Sequence, residues 1–253
     1  MIVCKSPAEI DAMRAASALV ADVLAELAVM VAPGVSTLDL DVEAERLVRA
    51  AGAEPAFKGY RGYPCTLCAS TNDEVIHGIP SRRALVEGDI VSLDMGVKQH
   101  GFFGDSAVTV PVGRVSDQAQ LLLRVTQESL DKGIAQVRLG GRVSDIGHAV
   151  QQHVEAHGFS VVREFVGHGI GAALHEEPQI ANYGDPGRGP RLAEGMTLAI
   201  EPMVNAGRPS VKVLADGWTA VTRDGSLSAH FEHTVAVTKD GPLVLTRAAA
   251  RVK

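Results

Sequence analysis

Apolar residues recur near a helical period at the start of the chain, at Ile10, Met13, Val20, Val23, Leu24 and Leu27. That spacing predicts a helix with one buried face. Ser6-Pro7-Ala8-Glu9 supplies its opening: Ser6 can cap, Pro7 suits the first helical position and Glu9 completes a capping box. Pro33-Gly34 ends it, and a second helix is predicted from near Ser36 or Thr37 to Gly52. From about Pro55 the period changes. The turn-rich stretch "KGYRGYPCTLCAS" leads into short apolar runs, "DIVSLDMGV" and "FFGDSAVTVPV", that read as strands. Ser116 then opens "SDQAQLLLRVTQESLDKGIAQV", and Ser144 opens "SDIGHAVQQHVEAHG", closed by Gly158. Strand-like runs return in "VVREFV", "GMTLAIEPMV", "SVKVLA", "WTAVT" and "HTVAVT".

The resulting order is two helices, strands, two helices, strands. It predicts an α/β (α+β) protein with an internal structural duplication, the halves meeting at about residues 1–115 and 116–253. No long linker divides them, so residues 1–253 are expected to form a single domain with a site in the crevice between the halves.

Composition narrows the class. A chain of 253 residues with 46% hydrophobic and 21% charged content is ordinary for a globular protein. A formal net charge of -6 argues against a general nucleic-acid binder, which needs a basic face. No secretory core opens the chain, and the apolar run from Ala12 to Ala32 is broken by Arg14, Asp22 and Glu26, so no membrane span is expected. Cys4, Cys65 and Cys68 cannot build a disulfide framework, and Cys65-x-x-Cys68 has no second pair to complete a zinc site. Packing or pocket lining is the expected role of that pair, in a reducing cytoplasm.

The acids carry more information. Asp94 and Asp105 lie on the two strand-like flanks of "KQHG". A four-residue loop from Lys98 to Gly101 would pair Val97 with Phe102 and place Asp94 opposite Asp105. Their Cβ atoms would then be roughly 5 Å apart. Two carboxylates so close repel unless a cation lies between them; the alternative is a bulge that turns one Asp to solvent. Glu201 and Glu232 each interrupt an apolar run, and either face water on an edge or are buried and paired. In "FVGHGIGAALHEEPQI" the glycines let the backbone approach a ligand closely beside His168. One imidazole added to these carboxylates suits two divalent ions sharing bridging oxygens. His153 and His157 are also spaced i, i+4 on a predicted helix, but "HVEAH" is not H-E-x-x-H. With His148, they read as solvated helix positions.

The segments "VIHGIPS", "SLDMGVKQHGFFGDSA", "GHGIGAALHEEPQI", "LAIEPMV" and "GWTAVTRDGSLSAHFEHTVAV" together resemble the type I methionine aminopeptidases, in their short bacterial form. The resemblance runs from "SPAEIDAMRAA" to the final strand. It implies the pita-bread fold, with two pseudo-twofold halves around a central site. It implies that Asp94, Asp105, His168, Glu201 and Glu232 hold two divalent metal ions (Mn, Fe, Co or Zn), with Asp105 and Glu232 bridging. Glu201 would relay a proton, His77 and His175 would contact the substrate, and Tyr60, Tyr63, Cys68 and Trp218 would line a methionine pocket. The implied activity is removal of the initiator methionine from nascent peptides with a small second residue, in the cytoplasm. A monomer is the starting expectation, and transient ribosome contact stays open. Two positions depart from the family pattern: Leu174 stands where an aromatic is common, and Ile76 where cysteine is. The alternatives are a proline-directed aminopeptidase of the same fold and a pita-bread protein that only binds partners.

Overall fold

The computed structural model describes residues 1–247; residues 248–253, the end of the second half as drawn from the sequence, lie outside the described residues. Helix α1 (Pro7–Met30) starts on the expected capping box, with the Glu9 carboxylate accepting the Ser6 N–H at 2.7 Å. Helix α2 (Thr37–Ala50) repeats the device with Ser36 and Asp39. Ser116 caps α3 (Asp117–Ile134). Helix α4 (Val143–Ala156) begins before the Ser144 start expected from sequence, because Asp145 accepts the Arg142 N–H at 2.7 Å and makes Arg142 the cap.

The first half contributes strands β1 (Glu54–Pro55), β2 (Cys68–Thr71), β3 (Glu74–Ile76), β4 (Ile90–Gln99) and β5 (Phe102–Pro111). After α4 come β6 (Ser160–Val161), β7 (Gly167–Gly169), β8 (Glu176–Ile180), β9 (Thr197–Ile200) and β10 (Met203–Asn205). The last five are β11 (Val211–Val213), β12 (Ala220–Thr222), β13 (Ser228–His230), β14 (Glu232–Thr238) and β15 (Gly241–Val244). Nine strands form one antiparallel sheet in the order β1-β4-β5-β14-β9-β7-β8, with β2 added to β4 and β15 to β14. The halves are joined inside it, since β5 and β14 pair through Ala107 opposite Glu232 and Ser106 opposite His233. Two three-stranded sheets, β13-β10-β6 and β11-β12-β3, stand beside it.

Alternation along β4 explains how one sheet serves both core and site. Val91, Leu93, Met95 and Val97 point toward α1 and α2 and are fully buried with Val20, Leu27, Leu40 and Val48. The intervening side chains, Asp94 among them, point to the other face. The second half repeats the plan: Leu198, Ile200, Val235 and Val237 pack with residues of α3 and α4, such as Leu122, Val125, Ile146 and Val150. Helices cover one face and the acids occupy the opposite one, which is the pita-bread arrangement.

Two sequence expectations need correction. The β4–β5 turn is not a four-residue loop. Gln99 pairs with Phe102, leaving His100 and Gly101 as a two-residue turn with φ of 52° and 84°. Positive φ at both central positions is what a tight hairpin matched to strand twist requires. Asp94 therefore faces Ala107 and Asp105 faces Gly96, so the two acids are diagonal neighbours on one face rather than direct partners. The run "VVREFV" is not a strand either. The ladder ends at Val161; the Val162 N–H still reaches the Met203 carbonyl at 3.0 Å, but Arg163 and Glu164 turn out to solvent.

Candidate metal centre and active site

A single row across the sheet builds the centre. Cys68 on β2 lies opposite Asp94 on β4, Asp94 opposite Ala107 on β5, and Ala107 opposite Glu232 on β14. Opposed residues share a face, so Cys68, Asp94 and Glu232 line up with the small Ala107 as the floor between the acids. Asp105 follows on that face, diagonal to both. His168 on β7 lies opposite Ala199, which lies opposite Thr234, the next residue after Glu232 on the same face.

Glu201 and Glu232 stand where strands change sheets. Pro202 has no N–H to continue β9, and the chain resumes as β10 in a smaller sheet. Its neighbour changes at Phe231, between β13 and β14, where the Phe231 N–H donates to the Pro202 carbonyl at 3.3 Å. Both glutamates are thus held at the line where the main sheet parts from the smaller one.

Glycine makes room for His168. A Cβ on Gly167 would run into the Ala199 carbonyl, and one on Gly169 into the Glu177 carbonyl. The His168 Nδ1 lies 2.8 Å from the Gly169 carbonyl. Donation there fixes the proton on Nδ1 and frees the Nε2 lone pair, as metal-binding histidines require. Donor atoms of Asp105, His168 and Glu232 lie within 4.8 Å of one another. His168 Nε2 is also 3.5 Å from a Glu201 oxygen. Hydroxyls lock the frame: Thr234 Oγ1 donates to the Asp105 carbonyl at 2.8 Å, and Ser106 Oγ to the Glu232 carbonyl at 2.6 Å.

The carboxylates are almost out of reach of water, with Asp94 6%, Asp105 3%, Glu201 7% and Glu232 2% exposed. Asp94 Oδ1, Asp105 Oδ1 and Glu232 Oε1 have no hydrogen-bond partner among the described residues. Among the described residues no lysine or arginine forms an ion pair with any of them; the contacts to Glu201 come from His168 and His230. Burial pushes the Asp94 carboxyl up to about 8. Burial and then the charges of the neighbouring acids push Asp105, Glu201 and Glu232 well above the usual carboxylate range. A buried acid cluster with free oxygens and no counter-charge, joined by one imidazole, is a donor set that fits hard or borderline divalent cations.

Above the acids opens a cleft of about 650 Å³, partly open to solvent, lined by every residue named from the sequence as a metal ligand or substrate contact, whereas Cys65 lies outside it. Both departures from the family pattern, Leu174 and Ile76, line it too. Tyr63 is buried, its hydroxyl 3.0 Å from the Leu67 and Gly78 carbonyls, and its ring meets Trp218 edge-on at 5.1 Å. Burial, and then the charge of Asp94, raise the Cys68 thiol well above its ordinary value, so it forms a neutral wall. His77 has a φ of 61°, in the left-handed region, and is braced by Phe165 and Trp218. Burial lowers it to about 4, and lowers His175 as well, with Arg61 adding to the effect. His175 Nδ1 is 2.9 Å from the Tyr60 hydroxyl, and the two rings stack.

Some contributors were missed in the sequence. His230 is buried beside Glu201, with Nε2 3.9 Å from Oε2 and neither ring nitrogen hydrogen-bonded. Its signal was present in "AHFEH", where it precedes Glu232 on the same alternation. Ala107 had no signal beyond its size. Lys5 belongs to the segment before α1, yet its ammonium forms an ion pair with Glu176, and its N–H donates to the Gly195 carbonyl at 2.7 Å. Glu176 in turn accepts the Ala173 N–H at 3.1 Å. This clamp holds the turn that carries His175.

Residues 11–239 match the model of metallopeptidase family M24, and the chain belongs to that family. Its catalysis therefore depends on a divalent metal. It is 55% identical over 247 residues to methionine aminopeptidase 1 of Bacillus subtilis, covering 98% of this chain and 100% of the relative. The structure of a methionine aminopeptidase from Thermotoga maritima superposes with a TM-score of 0.96 at 47% identity, covering 98% of this chain and all of the other. A prolidase from Pyrococcus furiosus is 20% identical, with a TM-score of 0.79 over 98% of this chain and 66% of its own, which shows the fold alone. The two alternative readings gain no support from these relatives. Among the described residues no helix is long and apolar enough to cross a membrane.

Proposed function

We propose that Asp94, Asp105, His168, Glu201 and Glu232 would hold two divalent cations in a single catalytic unit formed by both halves. The activity is that of a methionine aminopeptidase: hydrolysis of the peptide bond behind an N-terminal methionine. The observation that carries the metal assignment is the set of buried, unpartnered carboxylate oxygens on one sheet face. When bound, divalent cations supply Lewis-acid polarisation of the carbonyl and make water acidic enough to attack near neutral pH.

The chain's own groups do the rest. Glu201, with its carboxyl raised by burial and by Asp94 and Asp105, accepts the proton of the attacking water and returns it to the leaving amine. With the Tyr60 hydroxyl donating to Nδ1, His175 keeps its proton on Nε2 and directs it at the peptide carbonyl oxygen. His77, held neutral by burial, donates to the peptide from the opposite wall. Tyr63, Cys68 and Trp218 give an apolar, polarisable wall suited to a thioether, with Tyr60 at its rim. Cys68 stands opposite Asp94, so the methionine side chain would lie beside the acids and bring the first peptide bond over them.

The substrate is the N terminus of a nascent peptide with a small second residue. The protein's place of action on this reading is the cytoplasm, where nascent peptides are made. The test is metal analysis of protein purified without added salts, paired with assays on Met-Ala-Ser and an Xaa-Pro peptide before and after chelation. Cleavage of Met-Ala-Ser alone, lost on chelation and restored by Mn, Fe, Co or Zn, is expected. Cleavage confined to the proline peptide, or none with any of these ions, overturns the reading.

A further inference from the structure

Away from the cleft, His153 lies on the last turn of α4 and His157 caps that helix one turn further on, while Glu128 reaches them from α3. His153 Nε2 lies 2.9 Å from Glu128 Oε2. The two imidazole centroids are 4.6 Å apart. Donor atoms of all three residues fall within 4.8 Å of one another. The His157 Nδ1 lies 2.8 Å from the His153 carbonyl, a bond that places its proton on Nδ1 and leaves Nε2 as the free donor. Both histidines stand at the C-terminal end of α4, which finishes at Ala156. Unsatisfied carbonyls there favour a cation.

We propose that Glu128, His153 and His157 form a second metal site, a surface clip across α3 and α4 that takes one late first-row divalent cation such as Zn(II), Ni(II) or Cu(II). Two imidazoles exclude Mg(II) and Ca(II) as preferred occupants, because those ions want oxygen donors. Three protein donors leave the remaining positions to water. The site is independent of the catalytic assignment, since none of its residues lines the cleft. Its expected consequence is a cross-link between the helices that form the outer layer of the second half.

The test compares the metal-loaded enzyme with its His153→Gln/His157→Gln variant. In equilibrium dialysis against Zn(II), the parent should hold one more equivalent than the variant. At zinc about a hundredfold above the site's Kd, its Tm should rise by roughly 5–10 °C more. Glu128→Gln should weaken this zinc binding by roughly tenfold or more. Cu(II) bound at the extra site should give an electron paramagnetic resonance spectrum with two nitrogen donors. Peptidase activity and circular dichroism, unchanged in the variants, certify that they fold. Equal zinc stoichiometry and equal thermal shifts in parent and double variant overturn the proposal, as does a copper spectrum showing only oxygen donors. If the double variant does not fold, His157→Gln with Glu128→Gln applies the same criteria.

Discussion

Asp105, His168 and Glu232 at the centre, and Glu128, His153 and His157 on α3 and α4, bring the same donor types to within the same 4.8 Å. Their surroundings differ. Outside, Glu128 is 44% exposed on its side chain and already accepts from His153, with Arg124 3.9 Å away. Water satisfies what the protein does not. At the centre the acids are buried, form no ion pair with lysine or arginine among the described residues, and keep oxygens without partners there. The outer cluster can accept a cation; the inner one needs one, because burial without a counter-charge is what makes a carboxylate unfavourable.

Removing a central charge gives the largest effect. Asp105→Asn should lower kcat/KM by roughly 10³-fold or more, while the metal-free protein folds at least as well, since the amide replaces a buried carboxyl whose ionisation its neighbours oppose. Steady-state kinetics and a melt of the chelated variant check both halves of that statement. Near-normal activity would remove Asp105 from the ligand set. Glu128→Gln at the outer cluster should leave peptidase activity unchanged.

Next comes a change that spares every donor. Ala107→Leu puts a branched side chain on the floor between Asp94 and Glu232, where the parent residue is 4% exposed. Overpacking of this kind costs about 1–3 kcal/mol, and here it fills the space the cations need. Activity should fall roughly a hundredfold with metal content falling alongside. Full metal occupancy with full activity would show that the row Asp94–Ala107–Glu232 does not set the spacing.

How much of this was legible in the chain divides along physical lines. The helices were, because Ser6 with Glu9 and Ser36 with Asp39 are local devices whose partners lie within one turn. The duplicated order and the acids themselves were legible as well, the latter through motifs that also carry the family resemblance. Pairing was not. Whether two or four residues form the turn after Gln99 depends on left-handed backbone at His100 and Gly101, and the one choice shifts Asp94 from Asp105 to Ala107. Likewise nothing local marks Pro202 and Phe231 as the places where strands change sheets, or pairs Lys5 with Glu176 across the chain. Each is a long-range contact decided by which faces bury together.

The Lys5 clamp gives a smaller, positional effect. Lys5→Ala leaves the half-buried Glu176 without its ion-pair partner and loosens the turn that carries His175. Stability should drop by roughly 1–3 kcal/mol, and kcat by about tenfold with KM moving less, since a misplaced group affects the transition state more than binding. Lys5→Arg should recover much of both. A fall in stability alone, with kcat intact, would limit the clamp to folding.

The subtlest contrast is in pH. In the metal-free protein the raised central carboxyls hold protons that the unfolded chain has already released, so their stabilisation is lost as pH rises through their folded values. The buried histidines run the other way: His77 and His168 are lowered to about 4 and His230 to about 3, so their contribution is lost only below the ordinary histidine range. Between about pH 7.5 and pH 8.5 the histidines are almost wholly neutral in both states, and the acids dominate the change. Asp94, at about 8, places that window. Metal-free protein should therefore lose stability across it by roughly 1.4 kcal/mol per pH unit for each proton released, and bound divalent metal should flatten the slope by replacing the protons. Surface acids such as Asp224, lowered to about 2 by the Arg208 N–H and Ser226, act only at low pH, where their contribution disappears as pH falls. Chemical denaturation of chelated and metal-loaded protein at about pH 7.5 and 8.5 reads the difference. Equal slopes in the two forms would mean that the central acids are not what the metal neutralises.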